Sequence, residues 1–462
     1  VQGFRTFSTR FRAPLAIYLV CASVYVAMLG ARRFEHTPDD HFAHLAQSFL
    51  HGRLDQGGDP PGTNDWACYD RVEHGACPNG VFRFPPELAD RYRWYVSFPP
   101  VPAVVMMPAV AAFGVDLPDR LFWALVAGLG PMSVFLLLRR ARELGVSGRS
   151  AEDDLLLTFL FAFGSVFFFV AVQGTVWFAA HVTLVPLLSL FLAASLGARR
   201  PIVAGLALGL CFLTRPSTCV FAFFFLAEAL RVSRAAKSDE SPEDELGPLD
   251  RLVRFLRPVS LREALPKLAL FALPCLVAIG LAMAMNRARF EDPFEFGHEY
   301  LQIVWRTRIE KWGLFNYHYV GKNLAIFLAG LPWLSRNAPH VVISAHGLAL
   351  WVTTPAVLFV LFPKRVTPEM RALGLAVLFA AVFDLMYQNS GWIQFGYRFA
   401  LDYFPGLILL LALGGRRFDA TFRVLAAYAL VVNTYGAVTF DRVPSAYFVD
   451  GRQDVFFQPD GS

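Results

Sequence analysis

Charge is scarce in this chain. Of its 462 residues only 17% are Asp, Glu, Lys or Arg, while 55% are hydrophobic and the mean hydropathy is +0.44. A soluble protein needs about a quarter of its residues charged to wet its surface. A soluble secreted enzyme is therefore excluded, as are disordered and collagen-like chains, and uncharged runs such as Leu155 to Val172 mark a membrane-embedded protein. Cysteine is sparse too: of six, Cys21, Cys211, Cys219 and Cys275 fall inside apolar segments, where a thiol behaves as a small hydrophobe. That excludes a disulfide scaffold. Only Cys68 and Cys77 are placed to pair, in a long polar loop, and they do so if that loop faces an oxidising compartment. No internal repeat is visible, which weighs against the inverted-repeat transporters.

What the chain has in quantity is apolar runs with basic ends. The first, Pro14 to Ala31, follows Arg5, Arg10 and Arg12 and lacks a small-residue cleavage site, so it reads as a retained span with its basic flank in the cytoplasm. Further spans are predicted at 121–138, 155–172, 176–196, 201–213, 217–230, 268–285, 347–362, 372–388, 399–414 and 422–440. Val101 to Val115 and Leu324 to Leu334 are read as interfacial or re-entrant instead. Arg139, Arg140, Arg142, Arg149, Arg199, Arg200, Arg231, Arg234, Lys364, Arg365, Arg416 and Arg417 can then all be cytoplasmic at once. The net charge of +5 is thus an effect of topology, not a nucleic-acid footprint.

The expected fold class is all-α, a polytopic helical membrane protein of about eleven spans with juxtamembrane helices in a long first outer loop. Its parts are an N-terminal module (1–230) holding outer loop 32–120, a cytoplasmic polar loop (231–267) with the acidic run Asp239 to Glu245, and a C-terminal module (268–462) with outer loop 286–346. The abundance of Arg over Lys, with much Ala, Gly and Pro, suggests a high-GC bacterium, hence a multi-pass protein of the inner (cytoplasmic) membrane with its active site outside.

The polar residues of the outer side carry the candidate chemistry. Thr37-Pro38-Asp39-Asp40 opens a segment whose Phe42, Leu45, Ala46, Phe49 and Leu50 recur at helical spacing, an amphipathic helix beside the bilayer. Thr37 as cap, Pro38 in the first turn and two acids at the positive helix end account for these residues structurally. Functionally, Asp39 or Asp40 at a wet rim is a general base for an acceptor hydroxyl; about 100° apart around a helix, only one would face a given pocket. Asp40 and His44, four apart, suit two metal ligands but lack a third.

Arg215, at the end of the run Ile202 to Leu213, either snorkels or binds an anion such as a lipid phosphate. Arg398 and Asp402 either pair along a helix or leave Arg398 for phosphate. His181 and Asp384, each about one turn inside an outer span end, point to a hydrated cavity or to interhelical hydrogen bonds. Trp94 to Pro100 and Trp305, Trp312, Tyr317 and Tyr319 suit interfacial anchoring or a sugar-site wall.

Asp39 and Asp40 after the first span, the run Gly205 to Pro216 ending Thr214-Arg215-Pro216, and the stretch Gln394-Phe395-Gly396-Tyr397-Arg398-Phe399-Ala400-Leu401-Asp402 together resemble the C-type (GT-C) polytopic membrane glycosyltransferases, among them bacterial protein O-mannosyltransferases and aminoarabinose transferases. The resemblance implies a sugar donor linked to polyprenyl phosphate and an aspartate base, Asp39 or Asp40. It further implies Arg215 and Arg398 on the donor phosphate, inversion at the sugar carbon, and an acceptor hydroxyl or amine on protein or glycolipid. His44, His181, Asp384, Tyr397 and Asp402 would line the substrate pocket. Some relatives carry an acidic residue where this chain reads Gln173-Gly174-Thr175, so no cofactor is expected, a divalent metal being the weaker alternative. The competing function is a transporter or flippase of a lipid-linked saccharide. Polar groups at one depth favour the enzyme over a translocation path.

Overall fold

A computed structural model describes residues 2–234 and 259–448, so the acidic run Asp239 to Glu245 and most of the expected 231–267 loop lie outside the described residues. Among the described residues, Arg12–Phe34, Asp119–Glu143, Val176–Ala198, Leu261–Phe290 and Ala420–Thr439 are long and apolar enough to cross a membrane. Val101–Phe113, Pro201–Phe212 and Phe404–Leu413 are shorter apolar helices.

Several of the predicted continuous spans are broken, and the breaks have local causes. The run 155–172 is a helix Ala151–Phe163 and a short helix Phe167–Val170. Between them Gly164 ends the first helix and the Ser165 hydroxyl donates to the Phe161 carbonyl at 2.6 Å, replacing a backbone bond. The run 347–362 divides at Thr354-Pro355 into a helix Leu350–Thr353 and a 3-10 segment Pro355–Leu361, because proline cannot donate and forces its predecessor extended. The runs 217–230 and 399–414 likewise begin as 3-10 turns, Pro216–Phe221 and Arg398–Asp402, before Ala222–Val232 and Phe404–Leu413 continue as α-helix. Arg215 immediately precedes the first of these turns and Arg398 opens the second.

The expected all-α class needs one correction. A three-stranded antiparallel sheet of Trp66–Asp70, Gly75–Ala76 and Tyr92–Val96 stands in the first outer loop, with Trp66 opposite Val96 and Cys68 opposite Trp94. A second small sheet joins Trp333–Leu334, Val341–Ser344 and Tyr447–Phe448. Aromatic and β-branched residues outside an apolar run pack best on a pleated surface. Cys68 and Cys77 form a disulfide with Cα atoms 5.4 Å apart, closing the first two strands of that sheet.

Close helix packing fixes the approach to Arg215. A Cβ on Gly205 would lie 2.1 Å from the Phe271 carbonyl oxygen, and one on Gly209 would lie 2.8 Å from the Ala278 Cβ. Glycines four apart therefore let Pro201–Phe212 lie against Leu261–Phe290 backbone to backbone, the small-xxx-small mode of membrane helices. One buried apolar cluster then runs from Ile17 to Phe440 through both halves of the chain. Arg149, Lys364 and Arg365 share a recess, beside helix starts capped by Ser150 and Thr367. The candidate site lies elsewhere.

Candidate functional site

A cavity of about 530 Å³ is walled by residues from distant parts of the sequence, among them Asp39, Asp65, Arg120, Arg215, Asp384 and Arg398. Its cationic side is built on the two proline- and glycine-marked turns. Arg215 directs Nε to both carboxylate oxygens of Asp402, at 2.6 and 2.7 Å, and Ser217 Oγ donates to Asp402 Oδ2 at 2.7 Å. Asp402 is fully buried while Arg215 keeps 21% of its side chain exposed. The pair thus spends one edge of the guanidinium on a hidden counter-ion and leaves the side chain at the cavity. His181 Nδ1 stands 3.1 Å from Asp402 Oδ1, behind the wall.

Arg398 is held differently. Its Nη1 donates to the carbonyls of Gly391 at 2.7 Å and Ile393 at 3.3 Å, and its backbone N–H donates to Gln394 Oε1 at 2.9 Å. The guanidinium lies 5.2 Å from the Phe178 ring centroid and 5.4 Å from that of Phe399, while its Nε has no protein partner. Carbonyl dipoles and aromatic faces stabilise the charge without neutralising it. The pairing of Arg398 with Asp402 along a helix, one of the two expectations, does not form: in a 3-10 turn the i and i+4 positions diverge, and Asp402 is taken by Arg215.

On the acidic side the helix after the first span starts at His41, with Asp40 as its N-cap residue, instead of at Pro38 behind a Thr37 cap. Thr37 is drawn away by Asp119, which accepts from its backbone N–H at 2.9 Å and from its hydroxyl. This one change separates the two aspartates. Asp39 lines the cavity, whereas Asp40 is not among its lining residues and meets His44 Nε2 at 3.4 Å, with His44 Nδ1 2.9 Å from Gln56 Nε2. Of the residues named from the sequence, the cavity brings together Asp39, Arg215, Asp384 and Arg398; Asp40, His44, His181, Tyr397 and Asp402 do not line it. Among the described residues no group of three or more His, Cys, Asp or Glu is placed to hold a metal ion.

Asp65 was not foreseen. Its Oδ2 accepts from Trp177 Nε1 at 2.7 Å, and its backbone is left-handed at φ 56°. Burial pushes its carboxyl up to about 6, with Trp177 and Arg398 opposing and Asp39 reinforcing the rise. Asp39 is raised as well, chiefly by burial, against a hydrogen bond from Asn64 Nδ2 at 3.4 Å and with Asp40 adding to the rise. His41 supports this pair from behind: it stacks on Trp66 at 4.5 Å, and its Nε2 lies 2.9 Å from the Asn64 carbonyl oxygen. The signal in the sequence was an Asn-Asp dipeptide at the end of a Gly- and Pro-rich stretch, just before the aromatic strand.

No family model matches the chain, and no curated protein does. Two solved structures are similar in fold. One is the archaeal oligosaccharyltransferase AglB from Archaeoglobus fulgidus in complex with an inhibitory peptide and a dolichol-phosphate, at 14% identity and a TM-score of 0.42 over 95% of this chain and 56% of that one. The other is ArnT from Cupriavidus metallidurans bound to undecaprenyl phosphate, at 14% identity and a TM-score of 0.46 over 91% of this chain and 62% of that one. The chain spans less than two thirds of the length of either.

Proposed function

We propose that the protein is a membrane glycosyltransferase that moves a sugar from a polyprenyl-phosphate carrier to an acceptor hydroxyl, or an amine, at the outer face of a bacterial cytoplasmic membrane. The observation that carries this reading is the meeting of Asp39 with Arg215 and Arg398 on one cavity. Arg398 and the open edge of Arg215 hold the carrier phosphate, and the carrier's hydrocarbon leaves past the apolar lining. The acceptor oxygen bonds to the anomeric carbon from the face opposite the phosphate, so the sugar inverts. The bond from that carbon to the phosphate oxygen breaks with its electron pair, and the new charge falls on an oxygen beside two fixed cations.

Asp39 takes the acceptor proton. It suits the base role better than its neighbours, because Asp40 is turned to His44 and one Asp65 oxygen is engaged by Trp177. Asp65 then acts as a positioning residue through its charge on Asp39. The step so drawn uses no metal. The Cys68–Cys77 disulfide in the same outer loop as Asp39 favours an oxidising, non-cytoplasmic side for the cavity, and the Arg149, Lys364 and Arg365 recess favours the cytoplasm for its own side.

A flippase would also need cations for a phosphate, but a translocation path places polar groups at successive depths. Here His181, Arg215 and Asp402 form one local network, with Arg398 and Asp384 on the adjoining cavity wall. The test is incubation of the purified full chain with labelled polyprenyl-phosphate sugars and candidate acceptors. Transfer by the wild type that disappears in Asp39→Asn and Arg215→Ala supports the reading. Transfer that survives Asp39→Asn unchanged removes the proposed base.

A further inference from the structure

The cavity wall carries a further cation besides Arg215 and Arg398. Arg120, from the start of the Asp119–Glu143 segment, is only 7% exposed, lines the cavity, and buries Nε and Nη1 without a protein partner. Its nearest counter-charge is Asp441 Oδ2, 3.9 Å from Nη2, and that carboxylate is already bound by Arg32 Nη2. Arg442 adds a third guanidinium, again with buried and unpartnered Nε and Nη2; burial and the nearby Arg32 and Arg120 push it down. Asp441 thus pairs with Arg32 and Arg120 and acts on Arg442 by its charge. Asp119 and Glu35 also favour the charged form of Arg120, but both Asp119 oxygens accept from Thr37 and leave Arg120 Nε and Nη1 without an acceptor. Buried guanidinium nitrogens left without acceptors are costly unless a ligand completes them.

The surrounding backbone orders these groups relative to the chemistry. A Cβ on Gly174 would touch the Arg120 Cα at 2.9 Å, so the Gln173–Thr175 turn lies directly against Arg120. The next residue, Val176, donates its N–H to the Asp39 carbonyl at 3.0 Å. Asp39 and Arg398 are both close enough to bear on the charge of Asp65. Asp39 and Asp65 thus share one cavity lining with Arg398 and with Arg120, the latter adjoining Asp39 through the Gln173–Thr175 turn.

We propose that Arg32, Arg120 and Arg442 form a second anion subsite, which takes a phosphate group carried by the acceptor. This rests on the donor reading above, since it is the carrier phosphate at Arg215 and Arg398 that leaves Arg120 for the acceptor. A phosphate dianion offers three oxygens to planar guanidinium forks. With its phosphate so held, the acceptor presents a neighbouring hydroxyl to Asp39. The phosphate belongs to a lipid headgroup or to a water-soluble phosphomonoester.

The test uses the full chain in phosphatidylcholine nanodiscs saturated with undecaprenyl phosphate, with labelled inorganic phosphate as the probe. Phosphate is expected to bind beyond the carrier. Arg120→Gln weakens it by about tenfold or more, Arg120→Lys weakens it less, and Arg398→Gln leaves it unchanged. Asp441→Asn strengthens it, which a merely structural arginine cluster would not produce. Displacement by phosphatidic acid, a lipid phosphomonoester, supports the headgroup source, and retention supports the soluble one. The proposal is overturned by absence of bound phosphate in the wild type, by binding indifferent to Arg120, or by displacement with undecaprenyl diphosphate, which would give this subsite to the carrier. Phosphate that binds through Arg120 while undecaprenyl phosphate fails to bind at all would defeat the donor reading and leave this subsite standing.

Discussion

Replacing Asp402 by asparagine tests the cationic wall most directly. The carboxylate is fully buried, takes Arg215 Nε on both oxygens and accepts a third bond from Ser217. Asparagine keeps the shape but turns one acceptor into a donor and removes the counter-charge. Breaking a buried ion pair by deleting one partner costs about 3–5 kcal/mol, because the other charge stays buried and unpaired. Arg215 keeps 21% of its side chain exposed, so water recovers part of the loss and the lower end, about 3 kcal/mol, is expected. Adding Arg215→Gln removes the orphaned cation. The double variant should then be more stable than the sum of the single effects by about 1–3 kcal/mol. The assay is reversible unfolding in mixed detergent micelles, followed by tryptophan fluorescence for the four proteins of the cycle. A loss below about 1 kcal/mol for Asp402→Asn, or simple additivity, would refute the buried-pair reasoning.

Asp39→Asn should lower the transfer rate by about 10²- to 10⁴-fold with undecaprenyl-phosphate affinity unchanged, read by single-turnover transfer and by carrier titration. The pH dependence is set by Asp65, whose carboxyl is raised to about 6: as pH rises through that value its charge appears beside Asp39 and makes Asp39 a stronger base, so transfer rises. Asp65→Asn should remove that limb and move the remaining one to lower pH, since Asp39 loses a negative neighbour. The same raised carboxyl contributes stability that is complete below the model-peptide value of 3.8 and lost as pH climbs through about 6. The melting temperature should fall across that window in the wild type, with the fall absent or smaller in Asp65→Asn. Gly205→Val should destabilise the helix pair by about 1–3 kcal/mol, its Cβ meeting the Phe271 carbonyl, while Gly280→Ala, which faces open space, should not destabilise it; thermal denaturation of the two variants separates these outcomes.

Composition alone decided that this chain lives in a bilayer, because a surface with so few charges cannot be solvated. Arg215 and Arg398 stood out because a cation at the end of an apolar run has few physical choices. Hydropathy could not see the breaks at Gly164-Ser165 and Thr354-Pro355, which depend on a hydroxyl bonding back to a carbonyl and on a missing donor. Nor could periodicity tell which of Asp39 and Asp40 lines the cavity: that depends on Asp119, 82 residues away from Thr37, pulling the threonine off the helix start. Neither Asp65 nor Arg120 was singled out from the sequence. Only the folded chain sets one against Trp177 and the other against the Gly174 turn, because electrostatic neighbourhood is a property of distance in space and local sequence carries none of it.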